Sequence, residues 1–271
     1  MGSNLDVTGR GDPIVLVHGL ATTRSVWRHA APLLARNRQV IVLDVPGFGA
    51  AAPAGRGFEL AAVARAISDE LRAGGVTEPY ELVGHSMGAA VALTLAALQP
   101  ASVRGLVLVS PAGLRPIPSL AASALGALAG LYVPLRRAGA PLADLSWGRR
   151  LLMSGGVVDG AALAPSEVRT LIGASAGAQR TRQALQAVAV ADLRELLADL
   201  PLPVGGVWGE GDRVIPPGGA QTLRELRPGA ACEVVSGAGH ISMVERPAAF
   251  VAALERVLGA IRWGEPPVAI R

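Results

Sequence analysis

Lysine is missing from this chain: all 25 basic residues are arginines. Cysteine occurs once, at Cys232 inside an apolar run, so no intrachain disulfide can form and the redox compartment stays open. Cys232 reads as a small buried apolar residue. Aromatic residues make up only 3%, which leaves a core built of Ala, Val and Leu. The four histidines, His18, His29, His85 and His240, fall at no ligand spacing, so no metal or other cofactor is called for. The formal charge is +4, yet the arginines are scattered and no aromatics interleave with them, which argues against a nucleic-acid surface. The start, Met1-Gly2-Ser3-Asn4-Leu5-Asp6, lacks the basic head and apolar core of a signal peptide, and a cytoplasmic location is the expectation. What the chain does have is 51% hydrophobic residues over 271 positions, enough for one globular domain with a large core and an inserted subdomain.

The most informative stretch is Gly84-His85-Ser86-Met87-Gly88. It follows the apolar run Tyr80-Glu81-Leu82-Val83 and opens the helix-forming run Ala89-Ala90-Val91-Ala92-Leu93. This Gly-x-Ser-x-Gly pattern between strand and helix predicts a turn tight enough to strain Ser86, with Gly84 and Gly88 small because the backbones crowd there. Downstream, Val204-Gly205-Gly206-Val207-Trp208 reads as a buried strand whose loop carries Glu210 and Asp212. Cys232-Glu233-Val234-Val235 reads as another strand, running into Ser236-Gly237-Ala238-Gly239-His240. Serine, acid and histidine thus occur in the chain order of a nucleophile, its orienting acid and its base. Of the two acids, the pattern Gly211-Asp212-Arg213-Val214-Ile215-Pro216 favours Asp212 over Glu210. Upstream, the apolar strand Ile14-Val15-Leu16-Val17 ends in His18-Gly19-Leu20, a place for oxyanion donors.

These pieces, with Asp44-Val45-Pro46-Gly47-Phe48-Gly49, resemble in joint order the α/β-hydrolase fold family, in its serine-nucleophile, carboxylesterase- or lipase-like branch with a cap. The resemblance spans positions 14 to 246. It implies a mostly parallel sheet flanked by helices, with Ser86 as nucleophile, His240 as base and Asp212 as the acid that orients it. It also implies the backbone N–H groups of Leu20 and Met87 as the oxyanion hole. Serine at the elbow speaks against dehalogenase and epoxide-hydrolase chemistry, which in the family it resembles uses Asp there. Carbon–carbon bond hydrolases and cofactor-free, haloperoxidase-like perhydrolases share the serine machinery; many of the former carry an aromatic after the histidine, where this chain has Ile241. A ligand-binding receptor or scaffold that keeps these residues is the non-enzymatic alternative. Hydrolysis of carboxylic esters with a hydrophobic acyl or alcohol part is the most economical expectation.

The remaining chain fits that organisation. Val40–Leu43 and Leu106–Val109 read as strands, Leu60–Arg72 as an amphipathic helix, and Pro247–Leu258 as a closing helix with Phe250, Leu254 and Leu258 on one stripe. Between Leu114 and about Asp199 no strand is legible. Residues 115–195 are expected to form a helical cap, with 1–114 and 196–271 as the hydrolase core. Within that cap, Pro116–Leu135 carries no charge. Its length approaches the ~20 residues of a membrane span, but its prolines and its serine and glycine breaks favour a lid helix, with Leu120, Ala124, Leu128, Leu131 and Leu135 turned to the core and the site. A lid this apolar also suggests contact with lipid or a membrane surface. Phe48, Leu128, Val214 and Ile241 are expected to line the substrate pocket, beside a small-molecule ester. Oligomeric state is left open.

Overall fold

The computed structural model describes residues 4–176 and 180–261. Seven strands form one sheet in the order β1-β3-β2-β4-β5-β6-β7. They are β1 (Leu5–Thr8), β2 (Pro13–Val17), β3 (Gln39–Leu43), β4 (Tyr80–His85), β5 (Val103–Val109), β6 (Val204–Gly209) and β7 (Cys232–Val235). Only the edge strand β1 runs antiparallel, against β3; the others are parallel. The helices are α1 (Ala31–Leu34), α2 (Leu60–Ala73), α3 (Met87–Leu98), α4 (Ser119–Ala138), α5 (Ser146–Leu152), α6 (Pro165–Ala176), α7 (Thr181–Val190), α8 (Arg194–Ala198), α9 (Gly219–Leu226), α10 (Ser242–Glu245) and α11 (Pro247–Ile261).

Side chains alternate across a strand, and here both faces are covered, so the central strands read as unbroken apolar runs. Val15, Val17, Ile41, Leu43, Leu82 and Leu108 enter one core with α2 and α3. Ile14, Leu16, Val40, Val42, Val83 and Val107 enter the other, with Phe250, Leu254 and Leu258 of α11. Helix α3 is buried from Met87 to Ala96, which explains why it is apolar all round. Trp27 is fully buried against Phe250, at 6.0 Å between ring centres, so it packs the core rather than a substrate. Cys232 is free and half-buried at the far edge of the sheet.

From α4 to α8 the chain between β5 and β6 is helices and short turns, the helices running on to Ala198. Helix α4 does not lie as its leucine spacing predicts. It packs on α7 through small residues: Ala122 is buried, and a methyl on Gly126 would touch the Gln186 side chain at 3.2 Å. Leu120, Leu128 and Leu135 consequently face outward, with exposures of 85%, 62% and 70%, and Ala124 is exposed as well. The side chain of Leu131 and the tail from Trp263 lie outside the described residues. No helix among the described residues is long and apolar enough to cross a membrane.

Candidate active site

In-register pairing sets the carboxyl ends of the parallel strands side by side, Val17 beside Gly84, His85 beside Val109, and Gly209 beside Val235. Loops leaving these ends converge, as they do above open α/β sheets. Ser86 sits between β4 and α3 at φ 54°, ψ −117°, a conformation that costs a non-glycine residue of order 1–3 kcal/mol. Its neighbours hold it there. The Ser86 N–H donates to the Val109 carbonyl at 2.9 Å, and its carbonyl accepts from Ala89 and Ala112. The flanking glycines are demanded by crowding: a Cβ on Gly84 would stand 2.4 Å from the Gly88 oxygen, and one on Gly88 would stand 2.3 Å from the His18 oxygen.

His240 lies in the turn between β7 and α10, and its Nδ1 is 2.8 Å from Asp212 Oδ2. The other oxygen of Asp212 accepts the N–H groups of Val214 and Ile215 at 2.9 and 2.8 Å. Burial pushes the Asp212 carboxyl upward, but its hydrogen bond to His240, that ring's charge and the Ile215 N–H outweigh burial and hold it below the usual range. Glu210 points elsewhere. It accepts from Ser236 Oγ and the Gly237 N–H, both at 2.9 Å, which fasten the turn before His240 and keep its own carboxyl low.

Two further histidines serve the backbone. The buried His85 donates from Nε2 to the His240 carbonyl at 2.9 Å, and its Nδ1 has no hydrogen-bond partner among the described residues. Burial first, then the nearby His240 charge, brings His85 down to about 3, so it is neutral. His18 donates from Nδ1 to the Gly19 carbonyl at 2.8 Å and accepts the Val45 N–H at Nε2 at 2.9 Å, which is the neutral tautomer. Burial brings it down to about 4. Thr22 Oγ donates to the same Gly19 carbonyl at 2.9 Å. Because a trans peptide is planar, pinning the Gly19 oxygen also fixes the Leu20 N–H on the opposite side.

Leu20, Ser86, Met87 and His240 line one cavity of about 410 Å³ together with Val214, Leu185 and Val188. Met87 opens α3, so its N–H belongs to the first turn and has no partner within the helix. Three expected pocket residues are not in this cavity. Phe48 is fully buried, edge-on to the His18 ring at 5.8 Å and to Phe58 at 6.1 Å. Leu128 is on the outer face of α4. Ile241 lines a separate cavity of about 130 Å³ with Leu20, Met153 and Leu171. A depression of about 530 Å³ among Leu33, Arg36, Arg38 and Glu255 is lined by none of the residues above.

Two features escaped the sequence. Glu245 reads there as a helix-start charge. Its carboxylate instead accepts the N–H groups of Val158, Asp159 and Gly239, tying the segment after α5 to the His240 turn. The Ile241 N–H donates to the Gly156 carbonyl and adds to the same tie. Arg115 also lines the cavity of Ser86, and no local sequence pattern marks it.

Residues 14–253 match the model of the alpha/beta hydrolase family. A pimeloyl-[acyl-carrier protein] methyl ester esterase from Methylococcus capsulatus is 30% identical over 254 residues, covering 89% of this chain and 92% of that protein. The structure of a thermophilic esterase from Thermogutta terrifontis superposes with a TM-score of 0.74 at 22% identity, over 96% of this chain and 93% of that one. A meta-cleavage product hydrolase from Pseudomonas fluorescens superposes with 0.72 at 22%, over 94% and 93%. At these identities the two structures speak to the fold alone.

Proposed function

The chain belongs to the alpha/beta hydrolase family, and we propose that within it this protein hydrolyses carboxylic esters with an apolar acyl part, through Ser86, His240 and Asp212. One observation carries the reading: a strained Ser86 shares a largely apolar cavity with His240, whose Nδ1 is held by Asp212. An Nδ1–H bonded to a carboxylate leaves Nε2 as the free base. His240 Nε2 takes the Ser86 proton as Oγ attacks the ester carbonyl. The oxyanion forms opposite the N–H groups of Leu20 and Met87, each worth about 2.7–4 kcal/mol by analogy with other oxyanion donors. His240 then passes the proton to the departing alcohol, and water activated by the same nitrogen releases the acid and restores Ser86. Asp212 stays ionised throughout and stabilises the imidazolium.

The helices over residues 115–195 act in this reading as a lid. Their inner side contributes Leu185 and Val188 to the cavity. On the outer side, Leu120, Leu128 and Leu135 stand exposed near the exposed Arg137, a combination that supports contact with an anionic lipid surface. The methyl ester esterase relative supports ester chemistry and does not name this chain's substrate.

A panel of 4-nitrophenyl esters from acetate to palmitate, run on wild type and Ser86→Ala, tests the proposal. Wild type is expected to turn over and Ser86→Ala is not. Equal rates would defeat it. Hydrogen peroxide and vinylogous diketone arms of the panel separate perhydrolysis and carbon–carbon cleavage, which draw on the same three residues.

A further inference from the structure

Among the described residues, the cavity that holds Ser86 and His240 is lined by a single permanently charged side chain, Arg115, and by no carboxylate. The other side chains there are apolar apart from Thr222 and the two reacting residues. Arg115 is exposed and lines the cavity, and among the described residues no ion pair or side-chain hydrogen bond engages it. That sets it apart from Arg24, Arg28, Arg38 and Arg194, each of which meets an Asp or Glu. Its backbone is fixed on both sides. The Leu193 N–H donates to the Gly113 carbonyl at 2.9 Å, and the Ile117 N–H donates to the Ala189 carbonyl at 2.8 Å. Arg115 thus belongs to the wall of an apolar chamber, on a backbone held at Gly113 and Ile117, and is exposed enough to meet a ligand's charge.

An arginine in this setting suits a planar carboxylate, which it binds through two parallel N–H groups. We propose that Arg115 is a specificity-determining residue that receives the free carboxylate of a half ester, a medium-chain dicarboxylic acid esterified at one end only. The inference rests on the ester-hydrolase reading of the same cavity and names its substrate class. The ester end lies at Ser86, the methylene chain fills the apolar chamber and the free carboxylate meets Arg115. At the ~30 Å³ a water molecule takes up, a cavity of about 410 Å³ accommodates roughly a dozen non-hydrogen atoms. That is the size of a half ester of a six- to eight-carbon diacid, by the same rough packing estimate.

The test compares monomethyl suberate with methyl octanoate by pH-stat, on wild type, Arg115→Gln and Arg115→Glu. The quantity read is the ratio of kcat/KM for the half ester over that for octanoate. Because Arg115 is exposed, screening keeps the effect moderate: a fall of about 5- to 10-fold in Arg115→Gln is expected, and a larger one in Arg115→Glu. About 0.5 M salt should shrink the wild-type ratio, since exposed pairs are screened. A second readout needs no turnover: calorimetric binding of suberate to Ser86→Ala, with and without Arg115→Gln. Binding that weakens by a similar factor on loss of Arg115 supports its role as the carboxylate receiver; if in addition no ester is cleaved, that role stands and the half-ester substrate class falls with the ester reading. If octanoate is cleaved through Ser86 but the ratio is the same in wild type and Arg115→Gln, the inference is wrong and the ester reading stands. If suberate binds equally with and without Arg115, or to neither protein, the inference is overturned.

Discussion

Replacing Asp212 by Asn isolates what the carboxylate does for His240. Oδ1 of Asp212 accepts two backbone N–H groups, from Val214 and Ile215, while Oδ2 faces His240 Nδ1. An asparagine has one acceptor oxygen, and the two backbone donors will claim it, since an NH₂ placed against them would leave buried donors opposed. The amide NH₂ then faces His240 Nδ1 and forces that nitrogen to accept. The imidazole proton moves to Nε2, the atom that takes the Ser86 proton in the proposed mechanism. The fold keeps both backbone hydrogen bonds, so the loss appears in turnover: about 10⁴-fold in kcat, as for the same exchange in other serine enzymes, or ~5 kcal/mol of barrier. Glu210→Gln is the control. Glu210 fastens Ser236 and Gly237 and does not touch His240, so its loss should change kcat by less than about 3-fold, in line with exposed polar sites generally. Steady-state hydrolysis of 4-nitrophenyl butyrate by both variants, with circular dichroism as a check on folding, reads this directly. An Asp212→Asn enzyme within 10-fold of wild type, or a Glu210→Gln enzyme more damaged than it, would refute the reasoning.

Ser86→Gly should abolish ester turnover yet unfold at higher urea, gaining on the order of 1 kcal/mol because glycine adopts φ 54° without strain; a less stable variant would show that the elbow stores no strain. Stability should also fall with acidity. His18 and His85 stay neutral in the folded state down to about 4 and about 3, whereas the unfolded chain takes up both protons below about 6.5. Their contribution is therefore intact above that value and is lost as pH drops from it toward the folded-state values, about 1.4 kcal/mol per pH unit for each ring. Urea unfolding at pH 7 and pH 5 should differ by roughly 4 kcal/mol, and a flat profile would contradict the buried neutral assignment. Leu185→Ala should cut the preference for octanoyl over acetyl esters several-fold, at ~0.8 kcal/mol for each substrate methylene left unburied. Leu128→Asp should leave that preference and the stability within about 0.5 kcal/mol, because Leu128 faces outward. The same change should weaken co-sedimentation with anionic vesicles, and unchanged vesicle binding would remove α4 from any lipid contact.

The sheet and the elbow were legible because they rest on short-range physics. The Val, Ile and Leu runs of β2 to β5 must be buried on both faces, and the crowding at Gly84 and Gly88 leaves no room for a side chain. Asp212 could be preferred over Glu210 from Val214-Ile215-Pro216, whose first two N–H groups now sit on its carboxylate. The helices between β5 and β6 are less legible. Leucines at four- and seven-residue intervals along α4 announce an apolar stripe, but which face a helix buries depends on its partner. Here α7 meets the small face at Ala122 and Gly126 and leaves Leu120, Leu128 and Leu135 outside. Phe48 belongs to the core, where the rings of His18 and Phe58 pack edge-on against it. Glu245 bonds the Val158 N–H and Arg115 shares a cavity wall with Ser86, neighbours far off in the chain, and no local pattern encodes such meetings.

The central claim is that Ser86 is a nucleophile activated by His240. Intact-mass analysis and peptide mapping after treatment with a fluorophosphonate test it most directly. The account predicts a single adduct on Ser86, complete loss of ester turnover in step with labelling, no adduct in Ser86→Ala, and labelling slowed by orders of magnitude in Asp212→Asn. A folded wild-type protein that hydrolyses esters while staying unlabelled at Ser86, or that is labelled at another residue, would contradict it.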